Sequence, residues 1–200
     1  IAEVSTELTV NLQDENIGNI INNFINSVGT EGTVKVDGEI SEGSTVMADI
    51  CTAFKNGSQE ARINLDLSGV TGLSEIPESA FEDCKNLKNV NFDNVKIVGK
   101  YAFYNCTALT SVTMTNVTSI GSSAFSGCTG LTEIIIPKSV TSFESSAFSG
   151  CTSFTSIEIP NSVTSIVNYA FYNCTSLTSI EIPNSVTSIG NTAFSGCSSL

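Results

Sequence analysis

Apolar residues along this chain recur with a fixed period over most of its length. The pattern Ala-Phe-x-x-Cys occurs six times, and its cysteines are separated by 22, 22, 23, 23 and 23 residues. These cysteines are Cys84, Cys106, Cys128, Cys151, Cys174 and Cys197. Such regular spacing indicates a stack of similar units, each of which buries its apolar side only against its neighbours.

Each unit combines a strand pattern with a turn pattern. Ile180-Glu181-Ile182 alternates apolar and polar residues, as a strand with one buried face does, and Pro183 then ends the strand because it has no backbone N–H. The Ala-Phe-x-x-Cys segment predicts a short helical or 3₁₀ turn with Phe and Cys pointing inward. We therefore expect Phe103, Phe125, Phe148, Phe171 and Phe194 to be largely buried and to contact one another from unit to unit.

The first 62 residues follow longer patterns. They predict a strand over 4–12 that begins near Val4, a helix over 17–28, a strand over 34–36 and a helix over 46–54. We expect residues 1–62 to form β-α units that cap the stack. Residues 63–200 then form an array of about six 22–23-residue repeats, continuous with the cap as one solenoid domain.

Charge narrows the classes of partner. The formal net charge is −12, and only 14% of residues are charged. This disfavours nucleic acid, because binding to phosphates requires Lys and Arg. It also disfavours an anionic membrane surface, and no apolar run is long enough to span a bilayer. Residues 101–200 hold four acids and one base, so their surface is built from Ser, Thr and Asn.

Little in the sequence points to catalysis. The chain has no histidine, so the usual base for a Ser or Cys nucleophile is missing, and no nucleotide or zinc motif occurs. We predict no catalytic residue, no metal ligand and no cofactor. We expect the repeat cysteines to form a column of reduced thiols, and disulfides between neighbouring cysteines are the alternative. We expect Glu158 and Glu181 to be solvated, and a shared cation such as Ca²⁺ is the alternative. The asparagines of the Asn-x-Ser/Thr sequons are expected to be unmodified, with glycosylation as the alternative, at Asn56, Asn105, Asn116 and Asn173.

The repeat strings resemble a known family. Leu-Thr-Ser-Ile-Glu-Ile-Pro-Asn-Ser-Val-Thr-Ser-Ile (177–189) and Ala-Phe-Ser-Gly-Cys (193–197) are similar to BspA-like leucine-rich repeats of the treponemal type, over about residues 63–200. The resemblance implies an α/β fold: a right-handed β-α superhelix, that is, a leucine-rich-repeat solenoid with a parallel sheet and short helical turns. It also implies a cell-surface or secreted protein of bacteria or protists that acts in adhesion, with no shared catalytic residues.

We therefore expect a non-catalytic interaction module whose strands present columns of outward side chains to a partner. The partner is a protein or glycan on a host cell, matrix or neighbouring cell, and we expect neither nucleic-acid binding nor direct membrane insertion. The predicted contact residues are Asn89, Asn91, Ser111, Thr113, Glu133, Ile135, Ser156, Glu158, Ser179 and Glu181. A structural spacer for another domain, or the repeat portion of a larger enzyme, are the alternatives.

The two ends lead to further expectations. The chain starts at Ile1 without a leader and stops at Leu200 within a repeat, which we interpret as a mature or trimmed product. The last unit has no following unit to cover it. We expect it to fray after about Ser188, or to pair through that end, so that the protein is a monomer or associates weakly end to end.

Overall fold

Strands lie on two sides of a stack of coils, joined by turns, in a computed structural model that describes residues 6–41 and 44–200. The elements are β1 (Glu7–Asn11), α1 (Ile17–Ser27), β2 (Glu31–Glu39), α2 (Val46–Asn56), β3 (Arg62–Thr71), β4 (Glu75–Ile76), β5 (Leu87–Asn91), β6 (Ile97–Val98), β7 (Ser111–Thr113), β8 (Ser119–Ile120), β9 (Ser142–Phe143), β10 (Ser156–Glu158), β11 (Ser165–Ile166), β12 (Ser179–Glu181) and β13 (Ser188–Ile189). We number the repeat coils 1 to 6 by their cysteines, from Cys84 to Cys197.

The cap has the predicted alternation of strands and helices. Helix α1 buries Ile17, Ile21 and Ile25, which recur every four residues and so share one helix face. Strand β2 pairs in parallel with β1 on one side and with β3 on the other. Val4, at the start of the predicted first strand, lies outside the described residues. Since β3 joins the cap to the array within one sheet, the boundary between residues 62 and 63 stays a prediction.

The front sheet consists of the long strand that opens each coil. Its parallel order is β1-β2-β3-β5-β7, and β10 pairs separately with β12. In coil 4 only Ile135 joins this side, through a single bridge to Glu158. Within the described residues, no ladder links β7 of coil 3 to coil 4. The front sheet is therefore interrupted where the repeat changes from 22 to 23 residues.

A back sheet of two-residue strands faces the front sheet across the core. Strands β4, β6, β8 and β9 pair in parallel, and β11 pairs with β13. The apolar residues between the two sheets form one continuous cluster from the cap to coil 6. Parallel sheets joined by β-α and turn connections confirm the predicted α/β solenoid.

The Ala-Phe-x-x-Cys segments are series of single turns that do not extend into helices. In coil 2 the Cys106 amide donates to the Phe103 carbonyl at 3.2 Å, a hydrogen bond of the 3₁₀ type. Tyr101 and Asn105 on either side of Phe103 are left-handed, with φ of 56° and 57°. A left-handed residue cannot continue a right-handed helix, so each helical turn stops at once.

These left-handed residues let the turns bond to the next coil. The amides of Tyr101, Phe103 and Asn105 donate to carbonyls of coil 3 at 3.0, 2.8 and 2.8 Å. The equivalent three amides of coils 1, 3, 4 and 5 make the same bonds to the coil that follows. The turn side of the array therefore carries an uninterrupted backbone ladder, in contrast to the front sheet.

The repeat phenylalanines stack inside this ladder. Consecutive rings from Phe81 to Phe194 lie 5.2–5.7 Å apart and within 9° of parallel. Phe103, Phe125, Phe148 and Phe171 are fully buried, as predicted, but Phe194 is only half-buried. Phe194 differs because no described coil covers the outer side of coil 6.

Coil 6 exposes an apolar end, as the sequence predicts. Ile189 is 55% exposed and Leu200 is 54% exposed, whereas the equivalents of Ile189 in earlier coils are buried. The turns of coil 6 nevertheless continue through Cys197 with the same hydrogen bonds within the coil as in other coils. Fraying after about Ser188 and association through this end both stay predictions.

Candidate interaction surface

The outward side chains of the front strands lie in register columns. Asn64 pairs with Asn89, which pairs with Ser111, and further along Ser156 pairs with Ser179. A second column, one pleat on, contains Asp66, Asn91, Thr113, Ile135, Glu158 and Glu181, with the sheet interruption between Thr113 and Ile135. Nine of the ten predicted contact residues thus lie in these two columns, and the tenth, Glu133, is exposed two residues before Ile135.

Coils 1 to 3 use much of this face for their own hydrogen bonds. The Asn89 Nδ2 donates to Asn64 Oδ1 at 2.7 Å, and the Asn89 Oδ1 accepts from Thr110 at 2.8 Å and Ser111 at 2.7 Å. The Asn91 Nδ2 donates to Asp66 Oδ1 at 3.2 Å. Both asparagines are half-buried, so only part of each side chain is open to a partner, and their role as contact residues stays a prediction.

Ion pairs extend this internal bonding toward the cap. The Lys88 ammonium lies 2.8 Å from Glu31, and the Lys35 ammonium lies 2.9 Å from Glu7. The hydrogen bond from Lys88 lowers the pKa of the Glu31 carboxyl, and the hydrogen bond to Glu7 raises the pKa of Lys35. Because both pairs are exposed, they contribute little to stability.

Coils 4 to 6 leave the same face open. Every outward residue there is exposed, and Ile135 is 82% exposed. Within residues 6–41 and 44–200, these side chains have no hydrogen bond or ion pair with the rest of the chain. We call this set the open strand face: Glu133, Ile135, Ser156, Glu158, Ser179 and Glu181.

A groove of about 830 Å³ runs beside the open strand face. Its lining comes from equivalent segments of coils 4, 5 and 6, namely 134–138, 158–162 and 181–184. These coils carry one more residue between strand and valine than coils 2 and 3, and Pro137, Pro160 and Pro183 begin that longer loop. The extra residue is visible in the sequence, but its effect on the surface is visible only in the structure.

Comparison with known proteins identifies the family of the repeat. A sequence profile described as "BspA type Leucine rich repeat region" matches six copies over residues 74–200. The chain belongs to the BspA-type leucine-rich repeat family. Leucine-rich repeats are generally protein-interaction modules, and their repeat proteins are typically non-catalytic. No curated protein matches the sequence.

Three solved structures resemble the BspA-type array. The leucine-rich repeat protein of T. pallidum is 26% identical with a TM-score of 0.55, over 70% of this chain and 78% of that one. A protein from Bacteroides ovatus is 25% identical (TM-score 0.59, 84% and 47% covered), and one from Eubacterium ventriosum 27% (0.60, 72% and 42%). The chain thus spans less than half of the last two proteins.

The array holds its cysteines as free thiols in a column. Each repeat cysteine from Cys106 on donates its S–H to the carbonyl of the repeat phenylalanine in the preceding coil, for example Cys128 to Phe103 at 3.1 Å and Cys151 to Phe125 at 3.2 Å. Burial raises the pKa of Cys84 and Cys174 to about 12, and burial also raises the pKa of Cys128 well above its ordinary value. Since the thiolate is the reactive form, these cysteines are structural.

Two of the sequon asparagines have a backbone explanation. Asn105 and Asn173 occupy the left-handed position before the repeat cysteine, where Gly127, Gly150 and Gly196 stand in other coils. Asparagine and glycine tolerate this conformation better than other residues. The Asn105 amide also donates to Asp83 at 2.5 Å. The Tyr-Asn-Cys-Thr sequence therefore arises from turn geometry, without reference to glycosylation.

Two further possibilities are a metal site and a membrane-spanning helix. Within the described ranges, no group of three or more acidic, cysteine or histidine side chains is placed to hold a metal ion. Glu158 and Glu181 lie side by side as predicted, but no further ligand joins them. No helix in those ranges is long and apolar enough to cross a membrane.

Proposed function

We propose that this BspA-type array is a non-catalytic interaction module that binds its partner on the open strand face. The observation that carries the proposal is the contrast along one column. The side chain of Asn89 is hydrogen-bonded within the chain. Ser156 and Ser179, at the equivalent position of coils 5 and 6, are exposed and make no such bonds.

The geometry of the open strand face suits recognition of a large partner. Parallel strands in fixed register hold their side chains in place, so binding loses little conformational entropy. A solenoid also presents its strand side as an extended surface. The groove beside the open strand face is not a closed apolar cavity of the kind that encloses a small molecule. A protein or a glycan is therefore the proposed partner.

The BspA-type repeat supports a proposal about location. We propose display at the cell surface or secretion, and a partner on a host cell, in the matrix or on a neighbouring cell. Because the second half of the chain has few charges, we expect the affinity for this partner to depend only weakly on salt.

Paired charge changes test which side binds. A partner is first isolated from host or matrix extracts, and its affinity is then measured for two double variants. Ser156→Lys with Ser179→Lys changes the open strand face, while Ser126→Lys with Ser149→Lys makes the same chemical change beside Phe125 and Phe148 on the turn side. We expect the first pair to weaken binding at least about tenfold, because two long, charged side chains now project into the contact.

The outcome separates the candidate functions. Loss of binding only in the turn-side pair would contradict the proposed face. Failure to recover any partner would favour a spacer that holds another domain, a role that the serine column shared by coils 3, 5 and 6 also suits.

A further inference from the structure

The groove beside coils 4 to 6 has an apolar wall and an acidic rim. Pro137 and Pro160 are buried in its wall, and Ile135 projects beside them with 82% of its surface exposed. Glu158 and Glu181 follow Ile135 in the same column, one and two coils further on. An isolated exposed isoleucine needs no explanation, but here it adjoins a groove that is also lined by prolines.

The charges of the groove are unbalanced. Residues 101–200 hold four acids and one base, and two of those acids, Glu158 and Glu181, line the groove next to each other. Neither carboxylate has an ion pair within the described residues. Lys138, the one base, lies at the coil 4 end of the groove lining. A cationic ligand group is therefore favoured at coils 5 and 6 and disfavoured at coil 4.

We infer that the groove binds an extended polypeptide segment that places an apolar side chain against Ile135 and, two residues later, a Lys or Arg side chain between Glu158 and Glu181. This inference rests on the proposed function and specifies its partner as a protein with an exposed apolar-x-basic segment. Asn161 and Asn184, which also line the groove, are placed to bond the backbone of that segment.

Spacing supports an extended segment. Neighbouring strands lie about 4.8 Å apart, so the midpoint between the second and third coils is roughly 7 Å from the first. In an extended peptide, side chains two residues apart lie on the same face at about 6.8 Å. An apolar-x-basic pattern therefore matches the distance from Ile135 to the space between the two carboxylates, while a helical segment would turn the second residue away.

Coils 2 and 3 show why the site is confined to coils 4 to 6. Their column holds Asn91 and Thr113 where coils 4 and 5 hold Ile135 and Glu158. Their loops lack the extra residue and the proline. The apolar contact, the acidic pair and the groove thus begin together at the interruption in the front sheet.

The test uses short synthetic peptides and the full chain. A peptide centred on Leu-Ser-Arg is titrated into isotope-labelled protein, beside peptides centred on Leu-Ser-Glu and Ser-Ser-Arg. We expect the first to bind with a dissociation constant on the order of 0.1 mM, with shifted amide signals confined to coils 4 to 6, and the other two to bind at least about fivefold more weakly.

Variants identify the contacts. Ile135→Thr restores the side chain that coil 3 has at this position and should weaken Leu-Ser-Arg binding about tenfold. Glu158→Gln with Glu181→Gln should weaken it about threefold and remove its salt dependence. Glu144→Gln is the control, since this exposed carboxylate directly follows β9 on the back side of coil 4, outside the open strand face and the groove lining, and it should not change peptide binding.

Several results would overturn the inference. These are equal binding of Leu-Ser-Arg and Leu-Ser-Glu, signals shifted outside coils 4 to 6, or no binding at millimolar peptide. With an isolated partner, loss of binding in the Ser156→Lys and Ser179→Lys variant but not in Ile135→Thr would reject the groove and leave the proposed function standing. An isolated partner that binds through a glycan would also reject the groove as its site, whereas a partner indifferent to all of these changes would reject both proposals.

Discussion

The turn side and the strand side of this array are built from the same repeats but are bonded differently. On the turn side, three backbone amides of every coil from 1 to 5 donate to the next coil, and the phenylalanine rings stack without a gap. On the strand side, the ladder stops after β7 and resumes as a pair of short strands. The turn side therefore sets the spacing of the coils.

This division has a consequence for function. Because the turns hold the coils together, the strand side can change residue by residue without loss of the stack. Coils 1 to 3 use that freedom for a hydrogen-bonded ladder through Asn89, whereas coils 4 to 6 leave their side chains to solvent. Side chains that make no hydrogen bonds within the array are available to bind a partner.

Alkaline pH should cause the largest loss of stability, because it acts on the buried thiols of the turn side. Burial raises the pKa of the repeat thiols, to about 12 for Cys84 and Cys174, above the ordinary value of 9.0. Their contribution to stability is therefore fully present below pH 9 and is lost as pH rises toward the folded value. The five buried repeat thiols, from Cys84 to Cys174, should together lower the free energy of unfolding by roughly 7 kcal/mol per pH unit above pH 9.

Urea unfolding at several pH values measures this slope. Cys151→Ser keeps a donor for the Phe125 carbonyl but does not ionise, so its slope should be about 1.4 kcal/mol per pH unit shallower. Thiol titration of the unfolded protein without reductant should count close to seven. A flat stability profile above pH 9, or a count near one that implies three disulfides, would contradict the buried thiol column.

Removal of one stacked ring should be the most costly single change. Phe148→Ala leaves a cavity between Phe125 and Phe171, which lie 5.7 and 5.6 Å away and are fixed by the backbone ladder. We expect a loss of about 3–5 kcal/mol in the free energy of unfolding. Ile135→Ala on the strand side should change it by less than about 0.5 kcal/mol. Similar losses in the free energy of unfolding for the two variants would mean that the turn side and the strand side contribute equally to stability.

Within the strand side, the self-bonded and open halves should differ by a smaller amount. Asn89→Ala removes hydrogen bonds to Asn64, Thr110 and Ser111, and we expect it to cost about 1–2 kcal/mol. Ser179→Ala, in the equivalent column of coil 6, should be neutral within about 0.5 kcal/mol. Chemical denaturation of both variants measures the contrast, which disappears if the asparagine ladder contributes nothing.

The smallest effect on stability belongs to the charge changes on the open strand face. Ser156→Lys with Ser179→Lys should alter the free energy of unfolding by less than about 1 kcal/mol, because both residues are exposed and the flanking Glu158 and Glu181 offset the new charges. A larger loss, measured by thermal unfolding, would show that any effect of this variant on binding reflects damage to the fold.

Repeat periodicity was sufficient to predict the register of the array. The spacing of Phe and Cys identified the buried column, and the helical pattern over residues 17–28 matches α1. The outward columns followed from the alternation within each strand. These features depend on one repeat at a time, or on strictly equivalent positions, and so they can be read from the sequence.

Contacts between neighbouring coils were harder to predict from the sequence. Nothing in the pattern showed that Asn89 would bond to Asn64, since this depends on the distance between two half-buried side chains. The break after β7 and the groove beside it depend on how a longer loop offsets coil 4 from coil 3. One signal was available in retrospect: Asp, Asn or Gly precedes all six repeat cysteines, which indicates a left-handed turn in place of a helix.

Hydrogen–deuterium exchange with and without an isolated partner tests the central claim most directly, because it reports both sides of the array in one experiment. We expect the partner to slow exchange in the front segments of coils 4 to 6, namely 131–138, 154–161 and 177–184, and to leave the turn segments 146–151 and 169–174 unchanged. Protection of the turn segments without protection of the front segments would contradict it.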